Sequence, residues 1–332
     1  MKTKWLWIPV FFVSFVLLTY ALLSTPNNYD LTEKFQIGIL LSGQERMEKI
    51  KGLKEGLHNL GYIEGENVEY IIKDAENSFE IMEEYASQLN KMNLDVIVAG
   101  GAIETKYLKE TNFAKIPIVF LGVADAVNLN FIESYQKPNG RITGVENAHV
   151  ELSPKRLQLF KLLLPELERI IVIYDENIEA SLLSLDKVKE YALADNIDIY
   201  PVSVKDIRQF MSFRTMSFKE NDGILVLPSY YLEKISNELA KFALNKKIPI
   251  FGVNITDVQN GFLLSYGVSY YDQGYQGAPM VSQILSGINP EGIPVEKPNS
   301  IKLLVNSKTK ESLNIQFSKV GNAFVNRLNF NN

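Results

Sequence analysis

The chain has no cysteine. That excludes disulfides, thiolate metal sites and a catalytic thiol, together with the cysteine a lipoprotein anchor needs. Histidine is almost as scarce, with His58 and His149 alone. Neither has a second histidine at ligand spacing, so no histidine-rich zinc site is expected. His58 follows Leu57 on an amphipathic stretch and reads as a helix-surface residue, whereas His149 reads as flanking a helix start. Positive charge is also not in surplus: Lys and Arg number 34 against 39 Asp and Glu, a net charge of −5. A polyanion needs a cationic face, so a nucleic-acid partner is not expected.

Nucleotide and catalytic signatures are missing too. Leu40 to Met47 (LLSGQERM) carries one glycine where the dinucleotide fingerprint has three. There is no phosphate-binding P-loop and no Gly-x-Ser-x-Gly elbow. Acid pairs such as Glu83 and Glu84 fall on helix surfaces. An enzyme is therefore not expected, and no cofactor is implied.

What the sequence does have is apolar bulk, with 332 residues of which 46% are hydrophobic, enough for two lobes of ordinary domain size. Lys2 and Lys4 precede an apolar run from Trp5 to Leu18, followed by Thr19, Tyr20, Ala21, Leu22, Leu23 and Ser24. Residues 1–24 thus read as a signal peptide or a retained membrane anchor. Residues 25–34, polar with Pro26, Asn27 and Asn28, read as a linker. The remainder is expected outside the cytoplasm, which leaves no room for a repressor that must meet DNA inside the cell.

Short β-branched runs then alternate with amphipathic stretches, the pattern of βαβ units feeding a parallel sheet. Strands are expected at Gln36 to Leu41, Val68 to Ile72, Asp95 to Ala99 and Ile116 to Phe120. Gly144 reads as turn-like, and Ser153 with Pro154 as opening a helix that Pro165 closes. A second set of strands follows at Ile170 to Tyr174, Ile197 to Val202, Gly223 to Leu227 and Pro249 to Phe251. The halves echo each other: NLDVIVAGG (Asn93 to Gly101) matches NDGILVLPS (Asn221 to Ser229), and AKIPIVFLGVAD (Ala114 to Asp125) matches NKKIPIFGVNITD (Asn245 to Asp257). Both offsets are about 130 residues, in the same order, as in a duplicated α/β lobe.

FLLSYGV (Phe262 to Val268), a helix from about Tyr271 to Leu285, and IKLLVN (Ile301 to Asn306) come after the second set is complete. They suggest that the chain crosses back between lobes. The fold class expected is α/β, two Rossmann-like lobes with parallel sheets joined by a multi-strand hinge. The first lobe takes residues 35–144 with about 257–290, and the second 145–256 with about 291–325.

GLKEGLHNLGYIEGENVEY (Gly52 to Tyr70), IPIVFLGVADAV (Ile116 to Val127), KPNGRITGV (Lys137 to Val145), KRLQLFKLLLP (Lys155 to Pro165), YGVSYYDQG (Tyr266 to Gly274) and KLLVNSKT (Lys302 to Thr309) occur in this order. Together they resemble successive blocks of the ABC transporter substrate-binding family that includes tryptophan- and tyrosine-type uptake proteins. The resemblance runs from about Gln36 to Leu313. It implies a type I periplasmic-binding fold, a small-molecule ligand held between lobes, and a membrane permease with its ATPase as partners. A monomer is expected. The same clamp serving as a ligand-sensing subunit for a membrane receptor is the alternative.

Ligands of open α/β sheets bind beyond the carboxyl ends of strands. The first lobe there offers Ser42, Gly43, Gly100, Gly101, Ala102, Ala124 and Asp125, with Asn147 at a hinge crossing. The second offers Tyr174, Ser229, Tyr230 and Asn254. Gly100 and Gly101 suit a close approach of backbone N–H groups to an anion, Tyr230 suits stacking, and Asp125 suits either an ammonium or a cap. Family members carry Thr-Pro at Ala102–Ile103, Thr-Asp-Pro at Ala124–Ala126, Asp-Asn at Ser229–Tyr230 and an acid at Asn254. These departures imply a ligand that is less charged or more apolar than tryptophan.

Overall fold

A computed structural model describes residues 34–111 and 115–329. The expected signal or anchor segment, and all of the linker but Lys34, lie outside them. No helix among the described residues is long and apolar enough to cross a membrane.

The chain runs β1 (Phe35–Leu41), α1 (Met47–Asn59), β2 (Val68–Asp74), α2 (Phe79–Lys91), β3 (Val96–Ala99), α3 (Ala102–Glu110), β4 (Ile118–Val123) and β5 (Ile142–Glu146). These strands form a five-stranded parallel sheet in the order β2-β1-β3-β4-β5. Then come α4 (His149–Leu163), β6 (Arg169–Tyr174), α5 (Glu179–Ala194), β7 (Asp198–Ser203), α6 (Ile207–Arg214), β8 (Asp222–Val226), α7 (Tyr230–Lys234), α8 (Ser236–Lys246), β9 (Ile250–Gly252), α9 (Ile255–Gln259), β10 (Leu264–Gly267), α10 (Tyr270–Leu285) and β11 (Lys302–Val305). Two helices, α11 (Ser307–Ser312) and α12 (Lys319–Asn329), follow.

The second sheet has the order β11-β10-β9-β8-β6-β7, parallel except where β11 meets β10. Its parallel part repeats the winding of the first sheet, and the echoing segments fall on corresponding strands, β3 with β8 and β4 with β9. Each sheet is covered on both faces. One set of buried residues, including Ile37, Ile39 and Leu53, packs on one side of the first sheet, and Leu40, Ile97 and Phe120 pack on the other. Leu157, Phe160 and Val172 play the first role in the second lobe, and Ile171, Ile224 and Phe262 the second. That two-sided burial is why the central strands are continuous apolar runs.

Three expectations are corrected. Gly144 lies inside β5, not in a turn. Its φ of +155° and a would-be Cβ only 2.2 Å from the Phe120 carbonyl oxygen require glycine in the strand, opposite an irregular register at Leu121 and Val123. The helix assigned to Ser153–Pro154 begins at His149, after Ala148 in the left-handed conformation (φ 53°). Ser153 does not cap it, because its hydroxyl donates back to the His149 carbonyl at 2.8 Å. The first-lobe assignment of about 257–290 fails at β10, which pairs with β9 and β11 in the second sheet.

The helix after β10 lies across the other lobe. α10 crosses α1 so closely that a Cβ on Gly52 would sit 2.0 Å from the Tyr271 carbonyl oxygen, and one on Gly274 1.7 Å from that of Lys49. Small residues along this seam let the two backbones touch, and Ala278, Val281 and Ile284 fill the core beneath. The chain thus passes between lobes at Asn147, at Val268–Ser269 and between Leu285 and Lys302. Near these passages Lys297 Nζ reaches Glu146 at 3.0 Å and Glu151 at 2.7 Å.

Candidate functional site

The carboxyl ends of both sheets face one another across a cavity of about 640 Å³, within the size range of small-molecule sites. Helix starts deliver its side chains. Ser229 caps α7 by accepting the N–H groups of Tyr231 and Leu232, which turns the Tyr230 ring toward the first lobe. The Tyr230 hydroxyl lies 2.6 Å from Asn77 Oδ1 and 3.1 Å from the Ser42 carbonyl oxygen, and its ring packs beside Phe79. Glu233, one turn later, faces Arg46 of the first lobe at 3.8 Å and accepts from the Tyr270 hydroxyl. The lobes are therefore drawn together over the cavity by direct polar contacts.

The floor is charged. Arg46 Nη1 donates to both carboxylate oxygens of Glu104, at 2.9 and 2.8 Å, and Glu104 also accepts from the Ser42 N–H at 2.8 Å. Burial alone would lower the Arg46 pKa, but Glu104 and Glu233 override it and hold the guanidinium firmly charged. Lys49, 2% exposed, donates to the carbonyls of Gly100 at 2.6 Å and Leu121 at 2.8 Å, and its ammonium stands 4.6 Å from the centre of the Tyr270 ring. Burial first, and then Arg46, lowers it to about 7.

The second-lobe wall is built around a neutral histidine. The fully buried Arg156 donates to His149 Nδ1 at 3.0 Å, and the opposite ring nitrogen lies 3.1 Å from Asn254 Oδ1. Burial and the Arg156 charge push His149 well below its ordinary pKa, so the ring is neutral, with Nε2–H donating to Asn254. Asn147 donates to the Gly122 carbonyl at 2.6 Å. Asp257, raised to about 6 by burial, accepts the N–H groups of Val253 and Asn254.

Of the residues singled out in the sequence, Ala102, Ala124, Asn147, Ser229, Tyr230 and Asn254 line the cavity. Ser42, Gly43, Gly100, Gly101, Asp125 and Tyr174 do not. The space against Gly101 is filled by the chain itself: a Cβ there would meet Arg46 Nη1 at 2.2 Å. Gly43 faces Glu45 and Asn77. Asp125 accepts from the backbone and side chain of Asn128, at 3.1 and 2.7 Å, which is the capping role. Tyr174 packs on the second-lobe core.

Arg46, Lys49, His149, Glu233 and Tyr270 line the cavity and were not singled out as binding residues. Position held the signal. Arg46 and Lys49 are one turn apart just past the β1 carboxyl end, His149 just past β5, and Tyr270 just past β10. Apolar walls come from Ile103, Leu129, Phe131, Ile178 and Val253. No group of three or more metal-ligating side chains occurs among the described residues.

Two parallel-sheet lobes with a mixed apolar and polar cavity at their facing strand ends define the class of two-lobed solute-binding proteins of type I periplasmic architecture. The sequence pattern described as ABC transporter substrate binding protein matches residues 34–320, and the chain belongs to that family. It is 25% identical over 276 residues to a tyrosine-binding protein of Clostridioides difficile, covering 80% of this chain and 76% of that one. A conserved domain protein of Vibrio cholerae superposes with a TM-score of 0.81 at 26% identity, covering 88% of this chain and 98% of that one. A Streptococcus pneumoniae domain in complex with L-tryptophan gives 0.80 at 21%, covering 89% and 98%. The chain is thus a substrate-binding component of an ABC transporter, in a family that works outside the cytoplasm with a small-molecule ligand and a permease.

Proposed function

We propose that this chain is exported by its N-terminal segment, stays at the outer face of the cytoplasmic membrane or in the periplasm, and works there as a monomer. It closes its lobes on a small molecule, amino-acid-like or more apolar, and delivers it to a membrane permease driven by an ATPase. The first lobe extends from residue 35 to 146 and is completed by α10. The ligand contacts assigned are Ala102, Ala124, Asn147, Ser229, Tyr230 and Asn254, joined by Lys49, His149 and Tyr270. Catalysis has no part in this reading.

The observation that carries it is the cavity itself, bridged from Tyr230 and Glu233 on one lobe to Asn77 and Arg46 on the other. Such bridges give a closed form that a ligand stabilises by binding it better than the open one. The test is a thermal-shift screen of the full-length chain against amino acids, sugars, nucleosides and aromatic acids, with small-angle scattering on each hit. A ligand that raises Tm should also reduce the radius of gyration. Hits that leave the radius unchanged would refute clamping.

A further inference from the structure

Resting on that reading, the cavity floor says more about the ligand. Among the described residues, the carboxylates facing the floor already have partners. Glu104 holds Arg46 and the Ser42 N–H, and Glu233 holds the Tyr270 hydroxyl and faces Arg46. Asp257 holds two backbone N–H groups. Glu110 and Glu179 are exposed at the cavity's rim. Donors are in the opposite state. An ammonium has three N–H donors, and Lys49 gives hydrogen bonds only to two neutral carbonyls, with no carboxylate in contact. The Tyr270 ring adds a cation–π contact but not a carboxylate acceptor.

A second unfilled group lies beside it. Among the described residues, neither polar atom of the Gln273 amide has a hydrogen-bond partner, although Gln273 is 2% exposed. A Cβ built on Gly122, which lines the cavity, would stand 2.1 Å from Gln273 Oε1 and 2.8 Å from Lys49 Nζ. The ammonium, which lines the cavity, and the Gln273 amide, which lies behind that lining, are therefore neighbours at Gly122. The same cavity has apolar walls at Ile103, Leu129, Phe131 and Ile178.

We infer that the transported solute is an organic monocarboxylate with an apolar body and no ammonium group, its carboxylate seated on Lys49 with the Gln273 amide beside it. A buried ammonium beside a carboxylate gains a charge-assisted hydrogen bond that neutral carbonyls cannot supply. A ligand ammonium would be removed from water next to Lys49 and Arg46 with each inner carboxylate already engaged, a costly arrangement.

The reading has a proton signature. Lys49 is surrounded by Arg46 at the N-cap of its own helix, Glu104 from α3, His149 from α4, Glu233 from α7, and Tyr270 and Gln273 from α10. Arg46 and Tyr270 are held far above neutrality and His149 well below its ordinary value, whereas burial and Arg46 bring Lys49 to about 7. A bound carboxylate keeps it protonated, so binding above pH 7 takes up a proton.

The experiment is calorimetry on the purified full-length chain with four compounds sharing one tail: 3-phenylpropanoate, L-phenylalanine, 2-phenylethylamine and 3-phenylpropan-1-ol. The carboxylate is expected to bind at least tenfold more tightly than the other three. Above pH 7 its affinity should fall about tenfold per pH unit, with proton uptake seen as a dependence on buffer ionisation enthalpy. Lys49→Met should lose at least tenfold in that affinity and all of the pH dependence, and Gln273→Leu should weaken binding while retaining the pH dependence. Equal or tighter binding of L-phenylalanine, a pH-independent carboxylate affinity, or an unaffected Lys49→Met would overturn the inference. So would no binding by any of the four. In that last case a hit from the wider solute screen that compacts the chain would leave the clamp reading standing.

Discussion

Replacing Arg46 by Met tests the charged floor most directly. The substitution keeps most of the apolar stem but removes the guanidinium from Glu104, whose side chain is fully buried. One contact to the carboxylate then remains, the Ser42 N–H. Leaving one partner of a buried pair uncompensated costs about 3–5 kcal/mol. At roughly 2–4 °C per kcal/mol for a chain of this size, Tm should fall by about 6–20 °C. Adding Glu104→Gln removes the stranded charge and keeps an acceptor for Ser42. The double variant should therefore recover most of the loss, and a double-mutant cycle by urea denaturation should show strong coupling. A single-variant cost below about 1 kcal/mol, the value typical of exposed pairs, would refute the argument. So would a double variant no more stable than the single one.

Three further outcomes follow from the same contacts. In the ligand-free protein Lys49 has a folded pKa of about 7 against an ordinary 10.5, so between those values the unfolded chain binds the extra proton. Stability should then rise with pH across that window, by up to about 1.4 kcal/mol per unit, and urea titrations of Lys49→Met should lose the slope. Tyr230→Phe keeps the ring beside Phe79 but deletes the hydroxyl that meets Asn77 and Ser42 across the lobes. A loss of about 1–2 kcal/mol should lower the closure constant roughly 5–30-fold, seen as a larger radius of gyration by small-angle scattering with Tm little changed. Gly52→Ala puts a methyl within 2.0 Å of the Tyr271 carbonyl and should cost about 1–3 kcal/mol by forcing α1 from α10, measured by thermal unfolding.

The strands that carried runs of Ile, Val and Leu were legible because their pattern reflects burial on both faces. β5 was not, since its Gly144 reads as a breaker until the Phe120 carbonyl is seen pressing against it. β10 was legible as a strand but not as a member of the second sheet, because an apolar run does not name its neighbours. In the cavity, the rule of strand carboxyl ends brought out Asn147, Ser229, Tyr230 and Asn254. It passed over Lys49, because a lysine near the start of an amphipathic helix has the same pattern as one facing water. Only the lid formed by Tyr270 and Gln273, more than 200 residues away in the chain, makes it an interior group. Gly101 shows the reverse case: its turn suits an anion by sequence, but Glu104 and Arg46 pack against it and keep it out of the cavity lining.

The seam between α1 and α10 also bears on how the molecule is made. Ile50, Leu53 and Leu57 belong to a core completed by Ala278, Val281 and Ile284. A chain emerging from its N-terminus has all five strands of the first sheet by Glu146 but must wait until Leu285 for the helix that covers α1. By then the second sheet is present except for β11. The order of appearance along the chain is therefore not the order of completion. A product ending at residue 256 would expose an apolar groove on its first lobe, whereas the whole chain finishes that lobe almost last.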